Sequence, residues 1–346
     1  MALSVSRLAR LVRYSPGLAS GLRGVAGLVL TRRCDMACAY CSIRRPGKEE
    51  YKGKEISVEG WKSAVDALRK LKVNMVVLTG GEPTLHGGII EIAGHARKDM
   101  LVSLVSNGRF LLRNKEFARR LLGYIDLISV SADAFMDSGG GFKAGELDGA
   151  ASLIDEMGLN REMIFTITKN NIGELPEAAS FTGKRGWGVR FSLVHAGNPQ
   201  HPFRGTGTAL APGKEHADAL GKMVSSIENL RSGGLPIIDN RLFLRGIPEF
   251  VRGEKTLSCP AGIKTMEIDE DGTVQACQDS PSTGFRAADL LTMKDPDEFL
   301  RNSRLPSCRC HYSHYHRIFS RGKAGHALSR FISMFPRPFV GWNKKQ

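Results

Sequence analysis

No apolar run in this sequence approaches the roughly 18 residues that a membrane-spanning helix requires. With 42% hydrophobic residues, 24% charged residues and a mean hydropathy of -0.19, the composition is that of a soluble globular chain and not of a disordered one. Acidic residues are missing from both ends. Residues 1–33 hold six Arg and residues 301–346 hold ten Lys/Arg, with no Asp or Glu in either stretch. Those sixteen cations exceed the net charge of +14, which leaves residues 34–300 at about -2. A near-neutral body with cationic ends argues against a globally basic nucleic-acid binder and points to end segments that touch an anionic partner. A disulfide framework is missing too, because the seven cysteines are odd in number and fall as Cys34, Cys38 and Cys41, then Cys259 and Cys277, then Cys308 and Cys310. Clusters this tight predict metal or cluster ligands in a reducing, cytoplasmic compartment. No signal peptide is expected, since Arg7, Arg10, Arg13 and Arg23 interrupt the apolar stretch it needs.

What is present is an alternation of strand and helix patterns. Apolar runs at 24–31, 73–79, 101–106, 125–131, 162–168 and 188–194 read as strands, with helix-period segments between them. The clearest helix runs from Ser57 to Lys72, with Ser57 as N-cap and Trp61, Val65 and Leu68 on one stripe. Such βα units predict a parallel sheet with right-handed connections, either doubly wound or curved into a partial barrel. Period-two alternation puts Ser129 with Ser131, Thr166 with Thr168, and Arg190 with Ser192 on shared faces. A closed eight-stranded barrel fills its interior with bulky branched side chains, so these polar positions favour an α/β fold of the partial (β/α)6 TIM-like kind with a ligand-filled inner face. Beyond the Pro/Gly-rich stretch 197–213, a helical pattern covers Lys214 to Arg231, a linker follows, and a hairpin is expected around Glu270-Asp271-Gly272. Asp295-Pro296 opens a short helix. The expected organisation is a basic segment 1–23, a barrel 24–235, a small β-hairpin and helix extension 236–310, and a basic aromatic segment 311–346.

Cys34, Cys38 and Cys41 form a CxxxCxxC loop directly after the first strand. Structural zinc wants four ligands, and no nearby fourth Cys or His exists, whereas three thiolates suit a cubane cluster with one open iron. Gly80-Gly81-Glu82-Pro83 ends the second strand, Ser106-Asn107-Gly108 the third, and Ser131 to Asp133 the fourth. As a set these features, with Tyr40 before the third cysteine, resemble the radical S-adenosylmethionine (SAM) enzymes over residues 24 to about 194. The resemblance implies a 4Fe-4S cluster on Cys34, Cys38 and Cys41 whose open iron is chelated by SAM. It implies further that Gly80, Gly81, Glu82 and Pro83 lie at the methionine amino group, and Ser106, Asn107, Ser131 and Asp133 at ribose and carboxylate. Tyr40 and Arg190 complete the expected cofactor-binding set. The implied activity is reductive cleavage of SAM to a 5'-deoxyadenosyl radical that abstracts a substrate hydrogen, with a donor such as flavodoxin or ferredoxin supplying the electron.

Cys259 and Cys277, with Cys308 and Cys310, supply four more thiols for an auxiliary 4Fe-4S cluster or a zinc ion. This set resembles the shortened SPASM (twitch) extension of the same superfamily. Cys308 and Cys310 would point apart in an extended chain, so both reach one centre only if the backbone turns at Arg309. His311, His314 and His316 read as solvated or phosphate-facing beside Arg309, Arg317 and Arg321, and His195 as a structural or substrate-facing residue. The end segments place Leu8, Leu11, Val12, Phe335, Phe339 and Trp342 among cations, which suits either helices that cover the barrel ends or a surface helix on an anionic membrane. Within this resemblance a peptide or protein side chain is the expected substrate and a lipid or isoprenoid at the membrane surface the alternative. The rival from another class is a non-catalytic iron-sulfur or zinc protein that binds nucleic acid through its basic ends. A pure binding module would have no use for the strand-end set around Glu82, Asn107 and Ser131.

Overall fold

Ser57 stops an extended approach and its hydroxyl accepts from Gly60 N at 3.2 Å, which starts α1 (Val58–Lys70). Glu59 in the first turn and Arg69 and Lys70 in the last complement the helix dipole. The stripe Trp61, Val65 and Leu68 is buried, each such side chain contributing about 1.5–3 kcal/mol of apolar burial. The computed structural model describes residues 10, 24–36, 38–41, 55–131, 144–194, 209–254, 261–262, 265–278 and 280–304.

The stripe packs on a sheet of β1 (Val25–Thr31), β2 (Met75–Gly80), β3 (Leu101–Ser106), β4 (Leu127–Ser131), β5 (Asn160–Ile167), β6 (Gly188–Leu193), β7 (Thr265–Ile268) and β8 (Val274–Gln275). Its order is β6-β5-β4-β3-β2-β1-β7-β8, so the sheet has two ends and does not close. Every pair is parallel except β7 with β8. Between and after the strands lie α2 (Ile89–Arg97), α3 (Arg109–Arg113), α4 (Lys115–Leu122), α5 (Ala144–Glu156), α6 (Leu175–Lys184), α7 (Ala217–Ser232), α8 (Arg241–Arg252) and α9 (Pro296–Asn302). The architecture is a partial TIM-like barrel with a C-terminal extension.

The core lies between sheet and helices, where Leu28, Leu30, Val76, Leu78, Val102, Leu104, Ile128, Val130, Met163, Phe165, Val189 and Phe191 are buried together. Alternation then turns Val29, Val77, Val105, Ser129, Ser131, Glu162, Thr166, Arg190 and Ser192 to the inner face. Valines predominate there on β1–β3, with Ser103 among them, and polar side chains on β4–β6, with Leu127 and Ile164 among them.

Two elements depart from expectation. The hairpin does not stand apart, because β7 pairs with β1 from Val25↔Thr265 to Leu28↔Ile268 and continues the barrel sheet. Gly27 allows this, since a Cβ there would lie 2.9 Å from Cγ of Glu267 on β7. The linker before the hairpin contains α8, capped by Asn240, whose Oδ1 accepts from Phe243 N at 2.7 Å. Pro248 inside it reads as a breaker in sequence, yet Phe243, Leu244 and Ile247 are buried and tertiary packing keeps the helix.

At the opposite, amino edge of the sheet Arg10 is tied down. Arg10 Nε donates to Asp126 Oδ1 at 3.2 Å and its Nη2 donates to Met100 O at 2.7 Å. Arg97 Nη1 donates to the same Asp126 oxygen at 2.6 Å, and Val102 N to Oδ2 at 3.0 Å. One of the N-terminal cations thus serves the fold and not a distant anion. Among the described residues no helix is long and apolar enough to cross a membrane.

Candidate active site at the carboxyl edge of the sheet

β1 ends at Thr31 and the chain runs through Arg32 and Arg33 into the cysteine loop. Cys34, Cys38 and Cys41 are half-buried, and the loop is turned by Cys41 N donating to Cys38 O at 3.1 Å. Among the described residues no three Cys, His, Asp or Glu side chains converge closely enough for a single ion. Three thiols on one loop are the donor set of a cubane with one iron left open, whereas structural zinc takes four ligands. Burial pushes the Cys34 thiol up; Met36 N opposes that shift by donating to its sulfur at 3.4 Å, and Glu82 and Asp35 add to it. Tyr40 lies on the loop, half-buried.

The glycine turn after β2 is fastened to the root of that loop. Gly81 N donates to Thr31 O and Glu82 N to Arg33 O, both at 2.7 Å. Side chains are excluded: a Cβ on Gly80, at φ +144°, would lie 2.2 Å from Thr31 O, and one on Gly81 would lie 2.3 Å from Arg33 O. With both amides so occupied, the turn can offer an incoming amino group only acceptor oxygens. Pro83 starts a short 3-10 turn and is buried.

Glu82 is fully buried, and its carboxylate joins its own turn to the end of β3. Oε1 accepts from Thr84 N at 3.1 Å, Thr84 Oγ1 at 2.5 Å and Ser106 Oγ at 2.9 Å, while Oε2 accepts from Asn107 N at 2.8 Å. Burial pushes this carboxyl up, and the four hydrogen bonds work against the shift. Asn107 carries the connection back to the cysteines, since its Nδ2 donates to Asp35 Oδ1 at 2.8 Å and lies 3.9 Å from Cys34 Sγ. Its Oδ1 accepts from Arg109 N at 2.9 Å at the start of α3. Glu82, Ser106 and Asn107 therefore form one network under the cysteine loop, with the Glu82 side chain turned inward.

Across the inner face, Ser131, Ile164 and Arg190 stand in one register row. Ser131 is half-buried at the strand end, while Arg190 is buried and its guanidinium pairs with Glu162, which also accepts from Ser129 Oγ at 2.6 Å. Behind them Phe191 N donates to Asp239 Oδ2 at 2.6 Å. Burial pushes the Asp239 carboxyl up to about 7, against the neighbouring Arg190. Arg190 Nε and Asp239 Oδ1 are buried atoms with no hydrogen-bond partner. Sequence reasoning missed Glu162 and Asp239. Glu162 shares the alternation of Ile164 and Thr166 and could have been placed on the inner face, whereas nothing near Asp239 signals its pairing.

The second cysteine set enters at the opposite edge. β8 runs back antiparallel, and with Glu267↔Gln275 in register Cys277 returns to the level of Thr265. Cys277 is buried, its sulfur 3.3 Å from Ser280 Oγ. Ala261 bridges to Thr265, and a Cβ on Gly262 would lie 2.5 Å from Leu300 O. Cys259, Cys308, Cys310, Asp133, His195, His311, His314 and His316 lie outside the described residues.

Residues 28–146 match the family model described as the Radical SAM superfamily. Fe-coproporphyrin III synthase of Methanosarcina barkeri is 28% identical over 153 residues, which cover 42% of this chain and 38% of that protein. PqqA peptide cyclase of Gluconobacter oxydans is 29% identical over 220 residues, 60% of this chain and 58% of that one. The chain thus spans between 38% and 58% of the length of these curated relatives. Among solved structures, Streptococcus suis SuiB bound to precursor peptide SuiA shares the fold at TM-score 0.61 and 15% identity, covering 86% of this chain and 70% of that one. Native anSMEcpe with bound AdoMet and Cp18Cys peptide does so at TM-score 0.57 and 15% identity, with 90% and 96% covered. The matched stretch is the one that fastens a three-thiol loop to a glycine turn at the carboxyl edge of an open parallel sheet, and over these residues the chain is similar to the radical SAM superfamily.

Proposed function

We propose that this chain is an enzyme that binds a 4Fe-4S cluster through Cys34, Cys38 and Cys41 and SAM beside it, and that it modifies a peptide or protein side chain. The observation that carries this is the continuous network from Cys34 through Asn107 and Glu82 to the Gly81 turn, which ties the loop of three half-buried cysteines to the glycine turn after β2. Cluster and SAM, when bound, supply one-electron cleavage of SAM and hydrogen abstraction from the substrate. The chain's own residues do the rest. The turn at Gly80 and Gly81 presents acceptor oxygens to an amino group, and Glu82 fixes that turn against Ser106 and Asn107. Ser131 and Arg190 face a carboxylate or ribose from the far side of the inner face, and the apolar wall of Val29, Val77 and Val105 excludes water from the reacting centre. Tyr40 and Asp133 are assigned to the cofactor on their place in the motif.

The peptide substrate is supported by the names of the relatives, a peptide cyclase and two solved structures with bound peptides. A flavodoxin or ferredoxin is the proposed donor. The lipid alternative leans on the cationic ends, and it is weakened because Arg10 is committed to Asp126. The glycine turn and Glu82 network argue against the nucleic-acid rival. In the extension we assign Cys259, Cys277, Cys308 and Cys310 to one auxiliary centre.

Anaerobic reconstitution followed by dithionite-dependent formation of 5'-deoxyadenosine tests the activity. Replacing Cys34, Cys38 or Cys41 by Ala is expected to abolish it while far-UV circular dichroism stays unchanged, because a loop holds the thiols and not the core. Turnover by a Cys38→Ala protein would sink the assignment. Iron is expected at about eight per chain if both cubanes fill, and a Cys259→Ala/Cys277→Ala variant is expected to retain about half of it. One zinc with about four iron would instead make the extension a structural zinc site.

A further inference from the structure

β7 lies parallel beside β1, so the turn that leaves β7 at Asp269–Gly272 reaches the same sheet edge as the cysteine loop that leaves β1. Arg32, two residues before Cys34, joins them. Its backbone N donates to Glu270 Oε2 at 3.1 Å, its Nη2 donates to Asp269 Oδ2 at 2.6 Å, and its Nε lies 3.6 Å from Glu270 Oε1. The three side chains are 10%, 14% and 4% exposed, too deep for a surface ion pair formed by chance. The hairpin turn is braced from behind. Gln275 Nε2 donates to Asp269 Oδ2 at 3.0 Å, Ile56 N to Glu270 O at 2.9 Å, and Gly272 N to Asp269 O at 2.8 Å. On its other side Arg32 is flanked by Thr31 and Arg33, whose carbonyls hold the Gly81–Glu82 turn.

The root of the cysteine loop is therefore gripped between two neighbours, by backbone hydrogen bonds from the turn after β2 and by two carboxylates, Asp269 and Glu270, from the turn after β7. We propose that Arg32 is a positioning residue which fastens the three-cysteine loop to the C-terminal hairpin and so sets the presentation of Cys34, Cys38 and Cys41. This rests on the assignment of a cluster to those cysteines. A forked guanidinium suits the task because it meets two carboxylates in a fixed plane while its own backbone amide is bound by one of them. The hairpin, whose outgoing strand carries Cys277 two residues on, becomes a support of the SAM site as well as a part of the extension.

The test uses the full chain as wild type, Arg32→Ala, Arg32→Lys and Asp269→Asn/Glu270→Gln. None of these residues belongs to the proposed ligand or SAM-binding set. Two quantities are read: the change that SAM makes in the electron paramagnetic resonance spectrum of the dithionite-reduced protein, and the alkylation rate of Cys34 in metal-free protein. Arg32→Ala and the double variant are expected to lose at least half of the SAM-sensitive signal and to alkylate Cys34 several-fold faster. Arg32→Lys is expected to fall between them and wild type, since it restores charge without the fork. If Arg32→Ala does not fold, the near-isosteric double variant decides. Wild-type signal and wild-type alkylation in a folded double variant would overturn the proposal. A wild-type protein with iron but no SAM-sensitive signal would instead overturn the cluster assignment beneath it, and this inference with it.

Discussion

Gly80→Ala is expected to destabilise the protein by about 3 kcal/mol or more and to strip the three-cysteine site of most of its iron. Two costs combine at this position. The backbone at φ +144° is one that residues with a Cβ rarely adopt, and the added methyl would sit 2.2 Å from Thr31 O, a backbone atom inside the β1–β2 pairing. No side-chain rotation relieves such a contact. The strand end must move off Thr31 instead, and with it goes the bond from Gly81 N that holds the root of the loop. Gly81→Ala is expected to behave alike, through Arg33 O at 2.3 Å and Arg32 O at 2.7 Å. Gly87→Ala is the internal control, because a Cβ there meets nothing within 4 Å and surface changes of this kind stay within about 0.5 kcal/mol. Urea midpoints at constant slope, together with iron content after anaerobic reconstitution, give both quantities. A Gly80→Ala protein with the midpoint and iron of Gly87→Ala would show that the close approach of β2 to the loop is not what shapes the site.

Periodicity made much of this fold legible. α1 and the six strands of the barrel lie where apolar spacing puts them, since each is long enough for its buried face to show in one segment. α8 lies in the stretch that reads as a linker, because a local rule cannot see that Phe243 and Ile247 find a core. The union of the hairpin with the barrel was hidden for another reason, as strand pairing between β1 and β7 joins residues some 240 positions apart. The site divides along the same line. A loop of three cysteines and a double glycine are local patterns and stand out. What their neighbours do depends on partners brought in by the sheet. Glu82 reads in sequence as a residue that touches the cofactor, yet its carboxylate is taken up by Thr84, Ser106 and Asn107. Arg190 reads as a cofactor-binding residue on the inner face and is paired with Glu162 from the adjacent strand. Arg32, Asp269 and Glu270 carry no motif, and only the topology brings them together.

The stability of the protein is expected to carry a pH dependence that disappears from one variant, Asp239→Asn. Asp239 is buried beside β6, and its carboxyl is pushed from 3.8 up to about 7, chiefly by loss of solvation; Arg190 lowers it and Glu162 raises it. Between pH 4 and 7 the folded state therefore holds a proton that the unfolded state has released. The sign follows: the contribution is complete below the ordinary aspartate value and is lost as pH rises through about 7. Asn keeps an acceptor for Phe191 N and has no proton to lose. The wild type is thus expected to weaken relative to Asp239→Asn as pH climbs from 4 to 8, by on the order of 4 kcal/mol at the limit of three pH units. Glu270 is also pushed up to about 7, by burial against Arg32, and Glu82 is raised too, but these groups titrate in both proteins and cancel in the difference. Denaturation at four pH values across that range measures it. Curves that run parallel would mean that Asp239 is ionised throughout, with Arg190 divided between it and Glu162, and that the polar half of the inner face carries one more negative charge at neutral pH than its burial implies.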